Sequence, residues 1–453
     1  MTRKRERQRA RTHKVGAGHR LSATESRVSV PAGRLLLISY FFPPTAGGGV
    51  FRPLAMVKYL VRFGWNITVL TATTPRHYPT DSDLLKQVPA GVEVIRLPVV
   101  WEGSFARRAL GKIGLDWIPR HLVTPDERVF WAERAANRAR RLIREHDFDC
   151  LYTTGPPFSI LLCGMWLKRE KGIDIPWLAE FRDPWTLAPY LSIPNLYHRR
   201  FARDAEADLM RLADAIVMVT PAFARMMRAK YPDSEARVHC VPNGYDPEDF
   251  RNLPDKHESR NESCTIVASG TVFGRYNMDE FLRGLERLKK TEPGVYAKLR
   301  VSFQGLPDAN LNRRLLENDM IDRCSSRGFV GHATNIRDLW TADLLVLPLA
   351  DVPNSAGHIP SRAYEYLASR RPILAVCPDG DLADLLAGFP QVTRVRPGDT
   401  ERVIEALKEA VSRWETGIQA PEPDMDSLRS LSRRERAVEM DRILKAISFS
   451  RSG

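Results

Sequence analysis

The feature that most constrains the fold is a regular alternation of short apolar runs and helix-patterned segments that begins at Arg34. Residues 34–39 form a short apolar run, a turn-rich loop follows them, and residues 51–63 carry apolar side chains at helical spacing. A second apolar run at 66–71 completes a strand–helix–strand unit. Because strands joined through a helix lie parallel in one sheet, this order predicts an α/β fold built on a parallel sheet.

The same alternation continues through most of the chain. In the first half, further strands are predicted at residues 92–97, 150–154, 177–181, 215–219 and 237–241. In the second half, strand-like runs occur at 265–270, 299–305, 329–331, 344–349 and 372–376, with helices at 279–290 and 361–369. Two successive α/β halves of similar size predict two Rossmann-like domains that face a cleft.

The domain boundaries follow from length and polarity. A chain of 453 residues exceeds one core of usual size, so two domains are expected. The polar, aperiodic residues 251–263 predict the linker between them. We therefore expect an N-terminal domain at 34–250, a C-terminal domain at 264–425, and a closing helix with a short tail at 426–453, its helical part at 426–447.

The N-terminal end carries much of the positive charge. Residues 1–33 hold nine Lys or Arg and two Glu, which is +7 of the +13 net charge, and almost no large apolar residue. This composition predicts a disordered arm. Two roles stay open for it: a solubilising tail or over-extended start, and an electrostatic tether to an anionic membrane surface. A nucleic-acid partner is not indicated, because no aromatic residues for base stacking interleave with the basic ones.

Other sequence features bear on the compartment. No segment approaches the ~20 apolar residues that a membrane span needs, and the N-terminus lacks the apolar core of a secretory signal. The six cysteines form no CxxC pair and have no neighbouring His cluster, so neither a zinc site nor a disulfide framework is indicated. We expect a cytoplasmic protein. The basic, partly apolar stretch 107–121 is either an ordinary surface helix or a second peripheral contact with the inner face of the cell membrane.

Four motifs occur in an order that resembles glycosyltransferase family 4. They are residues 40–60 with three consecutive glycines, EFRDPWT at 180–186, VPNGYDPEDF at 241–250 and IPSRAYEYLASRRPIL at 359–374. The resemblance spans roughly residues 34–447 and is nearest to bacterial members that assemble cell-surface polysaccharides. It implies a GT-B fold, a nucleotide-sugar donor site in the C-terminal domain, a site for a sugar or lipid-linked acceptor in the N-terminal domain, and retention of the anomeric configuration.

The three glycines Gly47, Gly48 and Gly49 follow the first strand and open the first helix. Backbone amides in such a turn can approach an anion, and a helix N-terminus favours negative charge, so we interpret the loop as a phosphate or acceptor contact. A tight strand-to-helix turn explains the same glycines. The pattern is neither GxGxxG nor a P-loop, so neither dinucleotide binding nor ATP hydrolysis is indicated.

The resemblance also implies a set of donor-binding residues. Glu365 matches the second glutamate of the family's paired-glutamate motif, whose oxygens would accept hydrogen bonds from the donor ribose; a Glu that merely favours its helix dipole is the alternative. Gly357 stands where the first glutamate would be, so backbone amides next to His358 are candidates for holding the sugar. The remaining donor-site candidates follow predicted strands: Gly270, Thr271 and His332.

Cations are expected around the departing diphosphate, because no convincing DxD metal motif is present. The acidic pairs at 81–83 and 424–426 are interpreted as solvated carboxylates, and neither a metal nor another cofactor is expected. Arg362 lies one helical turn before Glu365 on the same face. Arg275, in GTVFGRY, approximates a basic position of the family. A surface salt bridge is the alternative for each arginine.

Arg182 and Asp183 lie at the end of a predicted strand, where open α/β sheets line their ligand crevice. Asp183 would orient the acceptor hydroxyl or assist its deprotonation, while a structural Asp–Arg pair is the alternative. Asn243, Gly244 and Asp246 are interpreted as shaping the hinge. Two other functions stay open: a sugar-nucleotide 2-epimerase on a similar fold, and a non-catalytic GT-B scaffold, for which the missing glutamate at Gly357 is the best argument.

Overall fold

The computed structural model describes residues 32–99, 123–187, 195–254, 262–270, 278–305 and 309–449. All but the last two residues of the predicted arm lie outside these ranges, and so does the stretch 107–121. Two candidate site residues, Thr271 and Arg275, also lie outside the described residues.

The first half of the chain forms a seven-stranded parallel sheet with the order β3-β2-β1-β4-β5-β6-β7. Its strands are β1 (Gly33–Ser39), β2 (Trp65–Ala72), β3 (Glu93–Leu97), β4 (Cys150–Gly155), β5 (Trp177–Phe181), β6 (Ala215–Met218) and β7 (Val238–Cys240). The helices between them are α1 (Phe51–Arg62), α2 (Val129–Glu145), α3 (Ser159–Lys168), α4 (Leu196–Leu212) and α5 (Pro221–Lys230). The predicted strand–helix–strand start and the parallel sheet are confirmed.

The second half forms a six-stranded parallel sheet with the order β10-β9-β8-β11-β12-β13. Its strands are β8 (Cys264–Ser269), β9 (Leu299–Gln304), β10 (Cys324–Gly328), β11 (Leu344–Pro348), β12 (Ile373–Val376) and β13 (Val392–Val395). Its helices are α6 (Asp279–Thr291), α7 (Pro293–Tyr296), α8 (Ala309–Glu317), α9 (His332–Thr341), α10 (Ser361–Ser369), α11 (Asp381–Ala387) and α12 (Thr400–Thr416). The α/β class with two Rossmann-like sheets is therefore confirmed.

The central strands are largely apolar because helices cover both faces of each sheet. In β1, Leu35 and Leu37 belong to one core cluster, whereas Leu36 and Ile38 belong to another on the opposite face. All four side chains are at most 1% exposed. Successive side chains of a strand point to opposite faces. Because both faces are buried here, successive residues are apolar, which explains the short apolar runs in the first half of the sequence.

Two predicted elements are wrong in detail. The predicted strand at 329–331 is loop, and the actual strand is β10, immediately before it. This strand pairs only with β9 at the sheet edge, and its residues Ser325, Ser326 and Arg327 are exposed, so it lacks an apolar signal. The single closing helix expected at 426–447 is instead two helices, α13 (Met425–Ser430) and α14 (Arg433–Phe449).

Helix α14 returns to the first half of the chain. Ala437, Met440 and Leu444 share a core cluster with Leu35 and Trp65 of the first sheet. The indole nitrogen of Trp65 donates a hydrogen bond to Asp441 at 2.7 Å. The last helix therefore covers one face of the N-terminal sheet. No helix among the described residues is long and apolar enough to cross a membrane.

Candidate functional site

A cavity of about 690 Å³ lies where the carboxyl ends of the first sheet meet loops of the second half. Strand ends of the first sheet contribute Gly48 and Gly49 after β1, Pro156 after β4, Asp183 after β5, Thr220 after β6 and Asn243 after β7. From the later part of the chain come His358, Ile359, Ser361 and Arg433. Crevices at the carboxyl ends of parallel strands are where open α/β sheets bind ligands.

Arg182 borders the cavity, but its guanidinium is hydrogen-bonded to backbone carbonyls, one of them in the glycine loop. Its guanidinium donates hydrogen bonds to the backbone carbonyls of Gly49 at 2.9 Å, of Gly155 at 3.2 Å, and of Pro156. Burial lowers the pKa of Arg182. Gly47 has a φ of +117°, a backbone conformation that favours glycine. The loop therefore also forms the tight strand-to-helix turn that was the alternative explanation of these glycines.

Asp183 and His358 approach each other from opposite halves of the chain. The Nδ1 atom of His358 lies 3.9 Å from Oδ1 of Asp183, and both side chains are about nine-tenths buried. Asp183 follows β5, whereas His358 precedes α10 in the second half. The cavity therefore holds a carboxylate and an imidazole that meet only through the tertiary fold.

The expected donor residues Glu365, Arg362 and Gly270 cluster beside the cavity. The guanidinium of Arg362 donates to the carbonyl of Ser269 at 2.5 Å. Gly270 has a φ of +99°, and a Cβ atom there would overlap the guanidinium of Arg362. Glu365, one turn later on α10, accepts a hydrogen bond from Arg433 at 3.1 Å.

His332 and Gly357 are packed at contacts between the halves. The Nε2 atom of His332 lies 2.8 Å from Oδ2 of Asp249. Burial alone would lower the pKa of His332, but the charge and hydrogen bond of Asp249, with the charge of Glu365, together outweigh it and the pKa is raised; the pKa of Asp249 is lowered. The carbonyl of Gly357 accepts a hydrogen bond from Thr220 at 2.8 Å, and a Cβ atom at Gly357 would lie 2.6 Å from the ring of Phe223.

The hinge candidates lie where the segment around Tyr245 crosses the segment at residues 431–433; we call this contact the crossing. Tyr245 pairs with Ser432 in an isolated β-bridge, and a Cβ atom on Gly244 would overlap the carbonyl of Leu431. Asp246 accepts hydrogen bonds from Lys58 and Tyr59, each at 2.7 Å. This pairing lies at the break between the two closing helices, which end at Ser430 and begin at Arg433.

The sequence interpreted the acidic pairs at 81–83 and 424–426 as solvated carboxylates. One of these carboxylates, that of Asp81, is buried instead. Asp81 is 9% exposed and accepts hydrogen bonds from the backbone amides of His332 at 2.8 Å and Asp83 at 3.0 Å. Its carboxylate caps the short helical turn that follows it and also joins the first half of the chain to His332 in the second half. Asp424 caps α13, and Asp426 is exposed. Within the described ranges, no group of three or more His, Cys, Asp or Glu is arranged to hold a metal ion.

The sequence interpretation missed a buried ion pair beside the glycine loop. Arg52 of α1 donates to Glu180 at 2.8 Å, and Glu180 also accepts from Thr154 at 2.6 Å. Arg52 further donates to the carbonyls of Val241 and Pro242, at 2.8 and 2.7 Å. The sequence signal for this pair was the acidic residue within the apolar run WLAEF. A charge is rarely buried without a partner, so a glutamate in a buried strand indicates a buried cation nearby.

Comparisons with known proteins agree with this architecture. Residues 47–244 match the family model described as a glycosyl transferase 4-like domain. Mannosylfructose-phosphate synthase from Agrobacterium fabrum is 22% identical over 325 residues. This alignment covers 66% of this chain and 66% of that enzyme, just under two thirds of its length.

Two solved structures share the fold over nearly their whole length. Sucrose-phosphate synthase from Thermosynechococcus elongatus has a TM-score of 0.66 at 14% identity, over 91% of this chain and 98% of that one. An α,α-trehalose-phosphate synthase (UDP-forming) from Burkholderia xenovorans, in complex with glucose-6-phosphate, has a TM-score of 0.62 at 14% identity, over 91% and 100%. The fold shared with these structures is the two-domain GT-B architecture. Residues 47–244, somewhat under half of the chain, match the glycosyl transferase 4-like domain found on that architecture.

Proposed function

We propose that this protein transfers a sugar from a nucleotide-sugar donor to a sugar or lipid-linked acceptor, with retention of configuration and without a metal ion. The observation that carries the proposal is the approach of Asp183 and His358 to 3.9 Å across the cavity between the two halves. A transfer reaction needs groups from a donor half and an acceptor half at one point. The cavity volume, about 690 Å³, is within the usual range for small-molecule sites.

In this proposal the donor binds to the second half. The ribose diol donates hydrogen bonds to Glu365, and the diphosphate lies near Arg362 and Gly270. Arg275, outside the described residues, stays the further cation that the sequence proposes. The sugar lies against the backbone next to His358. The packing of Arg362 against Gly270 supports this arrangement, because it holds the guanidinium at the carboxyl end of β8.

The acceptor binds to the first half, beside the glycine loop and Asp183. Its hydroxyl oxygen forms a bond to the anomeric carbon on the same face from which the diphosphate departs, and the carbon–oxygen bond to the phosphate breaks. The departing phosphate takes the hydroxyl proton, while Asp183 orients the hydroxyl. Arg182 contributes indirectly, since its hydrogen bonds tie the carbonyl of Gly49 in the glycine loop to the end of β4, at Gly155 and Pro156.

The biological setting that we propose is the assembly of cell-surface polysaccharide or glycolipid at the inner face of the cell membrane. The motif resemblance supports this setting. The relatives described above include sugar-phosphate synthases, so a soluble sugar phosphate belongs in any acceptor screen.

The first experiment incubates the purified protein with a panel of nucleotide-sugars, with and without candidate acceptors, and measures release of free nucleoside diphosphate. We expect release that depends on the acceptor and a product with retained configuration by NMR. Isomerised nucleotide-sugar would indicate an epimerase instead. Nucleotide binding without turnover of any donor would indicate a scaffold.

The second experiment tests the donor assignment with Glu365→Gln. We expect donor binding to weaken by about 1.5–3 kcal/mol, the scale of a lost charge-assisted hydrogen bond. The matched control is Glu439→Gln on α14, since Glu439 is 38% exposed and its carboxylate pairs with Arg436. Circular dichroism confirms folding of both variants. Unchanged donor affinity in folded Glu365→Gln removes Glu365 from the site.

A further inference from the structure

Arg433 is the first residue of α14, the helix that returns to cover the N-terminal sheet. Its side chain is 8% exposed and borders the cavity. The backbone amide of Arg433 donates to the carbonyl of Tyr245 at 2.7 Å, at the crossing of the two chain segments. The position of the side chain is therefore fixed by the crossing itself rather than by a surface loop.

The guanidinium of Arg433 joins three parts of the protein. Its Nη2 atom lies 3.1 Å from Oε1 of Glu365, on the helix assigned to the donor. Its Nη1 atom lies 3.9 Å from Oδ2 of Asp249, in the segment that follows the hinge. Its central carbon lies 5.4 Å from the ring centre of Phe51, the first residue of α1 after the glycine loop.

This contact matters because Glu365 is itself nearly buried, with 8% of its side chain exposed. A carboxylate removed from water is costly unless an opposite charge and hydrogen bonds compensate it. An ionised carboxylate has about four lone-pair sites, so one hydrogen bond from Arg433 leaves Glu365 able to accept from a ligand diol.

We propose that Arg433 is a positioning residue for the donor: it compensates the charge of Glu365 and aims its carboxylate at the donor ribose. The assignment rests on the proposed function, because the role of Glu365 does. Arg433 acts through Glu365 and is not itself a contact for the reacting atoms. Since its helix packs on the first half, it also ties the donor carboxylate to the half that holds the glycine loop.

The test measures binding of nucleoside diphosphates by calorimetry, with UDP, GDP and ADP and the 2′,3′-dideoxy form of whichever binds best. Wild-type protein should prefer the ribonucleotide to the dideoxynucleotide by about tenfold, the scale of one charge-assisted hydrogen bond. Arg433→Met should weaken binding of the ribonucleotide and reduce that preference to less than about twofold. A residue that only supports the fold would weaken both nucleotides equally.

Two further variants complete the design. Arg434→Met is the matched control, because the neighbouring Arg434 is 59% exposed and pairs with Glu435; it should keep the wild-type preference. Arg433→Met in a Glu365→Gln background should cause no further loss of the preference. If Arg433→Met does not fold, Arg433→Lys takes its place, with a partial loss of preference expected because the shorter, point-like charge reaches Glu365 less well.

A folded Arg433 variant with the wild-type ribose preference overturns the positioning role, while the proposed function stands. Wild-type protein that binds none of the nucleotides, and turns over no nucleotide-sugar, overturns the proposed function and this role with it.

Discussion

The buried pair of Arg52 and Glu180 gives a prediction whose size can be worked out from the structure. Glu180 is 0% exposed and Arg52 is 5% exposed. Burial would raise the pKa of Glu180, but the charge and hydrogen bond of Arg52, with the hydrogen bond from Thr154 and the charge of Arg182, together outweigh it and the pKa is lowered. The perturbation is Arg52→Met, which keeps an unbranched apolar stem but is shorter and removes the charge and all of its hydrogen bonds.

Arg52→Met leaves the carboxylate of Glu180 buried, with Thr154 as its hydrogen-bond partner. It also removes the donors to the carbonyls of Val241 and Pro242. Breaking a buried ion pair by removing one partner typically costs about 3–5 kcal/mol, because the remaining charge is uncompensated. We expect a loss within that range in the free energy of unfolding, and not the sum of every contact, because the contacts share one side chain.

The assay is urea unfolding followed by tryptophan fluorescence, and Trp65 and Trp177 of the first sheet report on the relevant half. The control on the same helix is Arg62→Met, since Arg62 is about half exposed and pairs with Glu248 at the surface; it should cost no more than about 1 kcal/mol. The double variant Arg52→Met/Glu180→Gln should recover part of the loss. A loss below about 1 kcal/mol in Arg52→Met, or a double variant that is simply additive, refutes the reasoning.

Three other predictions concern chemistry, pH and the arm. Turnover should be unchanged in EDTA; complete loss that added Mg²⁺ or Mn²⁺ reverses would contradict metal independence. Because Asp249 raises the pKa of His332 and its own pKa is lowered, the stability that this pair contributes is complete between about pH 3.9 and about pH 6.5, the ordinary pKa values of Asp and His, and is lost as the pH rises through the raised pKa of His332. The difference in thermal midpoint between wild type and His332→Gln should therefore shrink at high pH, and a growing difference would contradict it. Deleting residues 1–33 should preserve turnover of a soluble acceptor and reduce sedimentation with anionic vesicles at low salt; equal sedimentation makes the arm a tail.

Local patterns determined the architecture of this protein. Both sheets are parallel and covered on two faces, so strands such as Cys150–Gly155 and Trp177–Phe181 are apolar along their length and visible in the sequence. The edge strand Cys324–Gly328 is exposed and polar, so the same signal is missing there. The strand-to-helix turn at Gly47 and the helix Ser361–Ser369 follow equally from residues close in the chain.

The candidate site was only partly contained in the sequence. Sequence motifs identified Asp183, Glu365 and the glycine loop as site candidates, because each motif consists of a few neighbouring residues. Buried charge partners are not neighbours in this way: Arg52 and Glu180 are 128 positions apart. Arg433 and Glu365 are 68 apart. No regular spacing in the sequence relates residues so far apart. A charged side chain is therefore predicted to be exposed, unless a partner for it is known. The packing of α1 on the first sheet brings Arg52 to Glu180, and the return of α14 at the crossing beside Tyr245 brings Arg433 to Glu365.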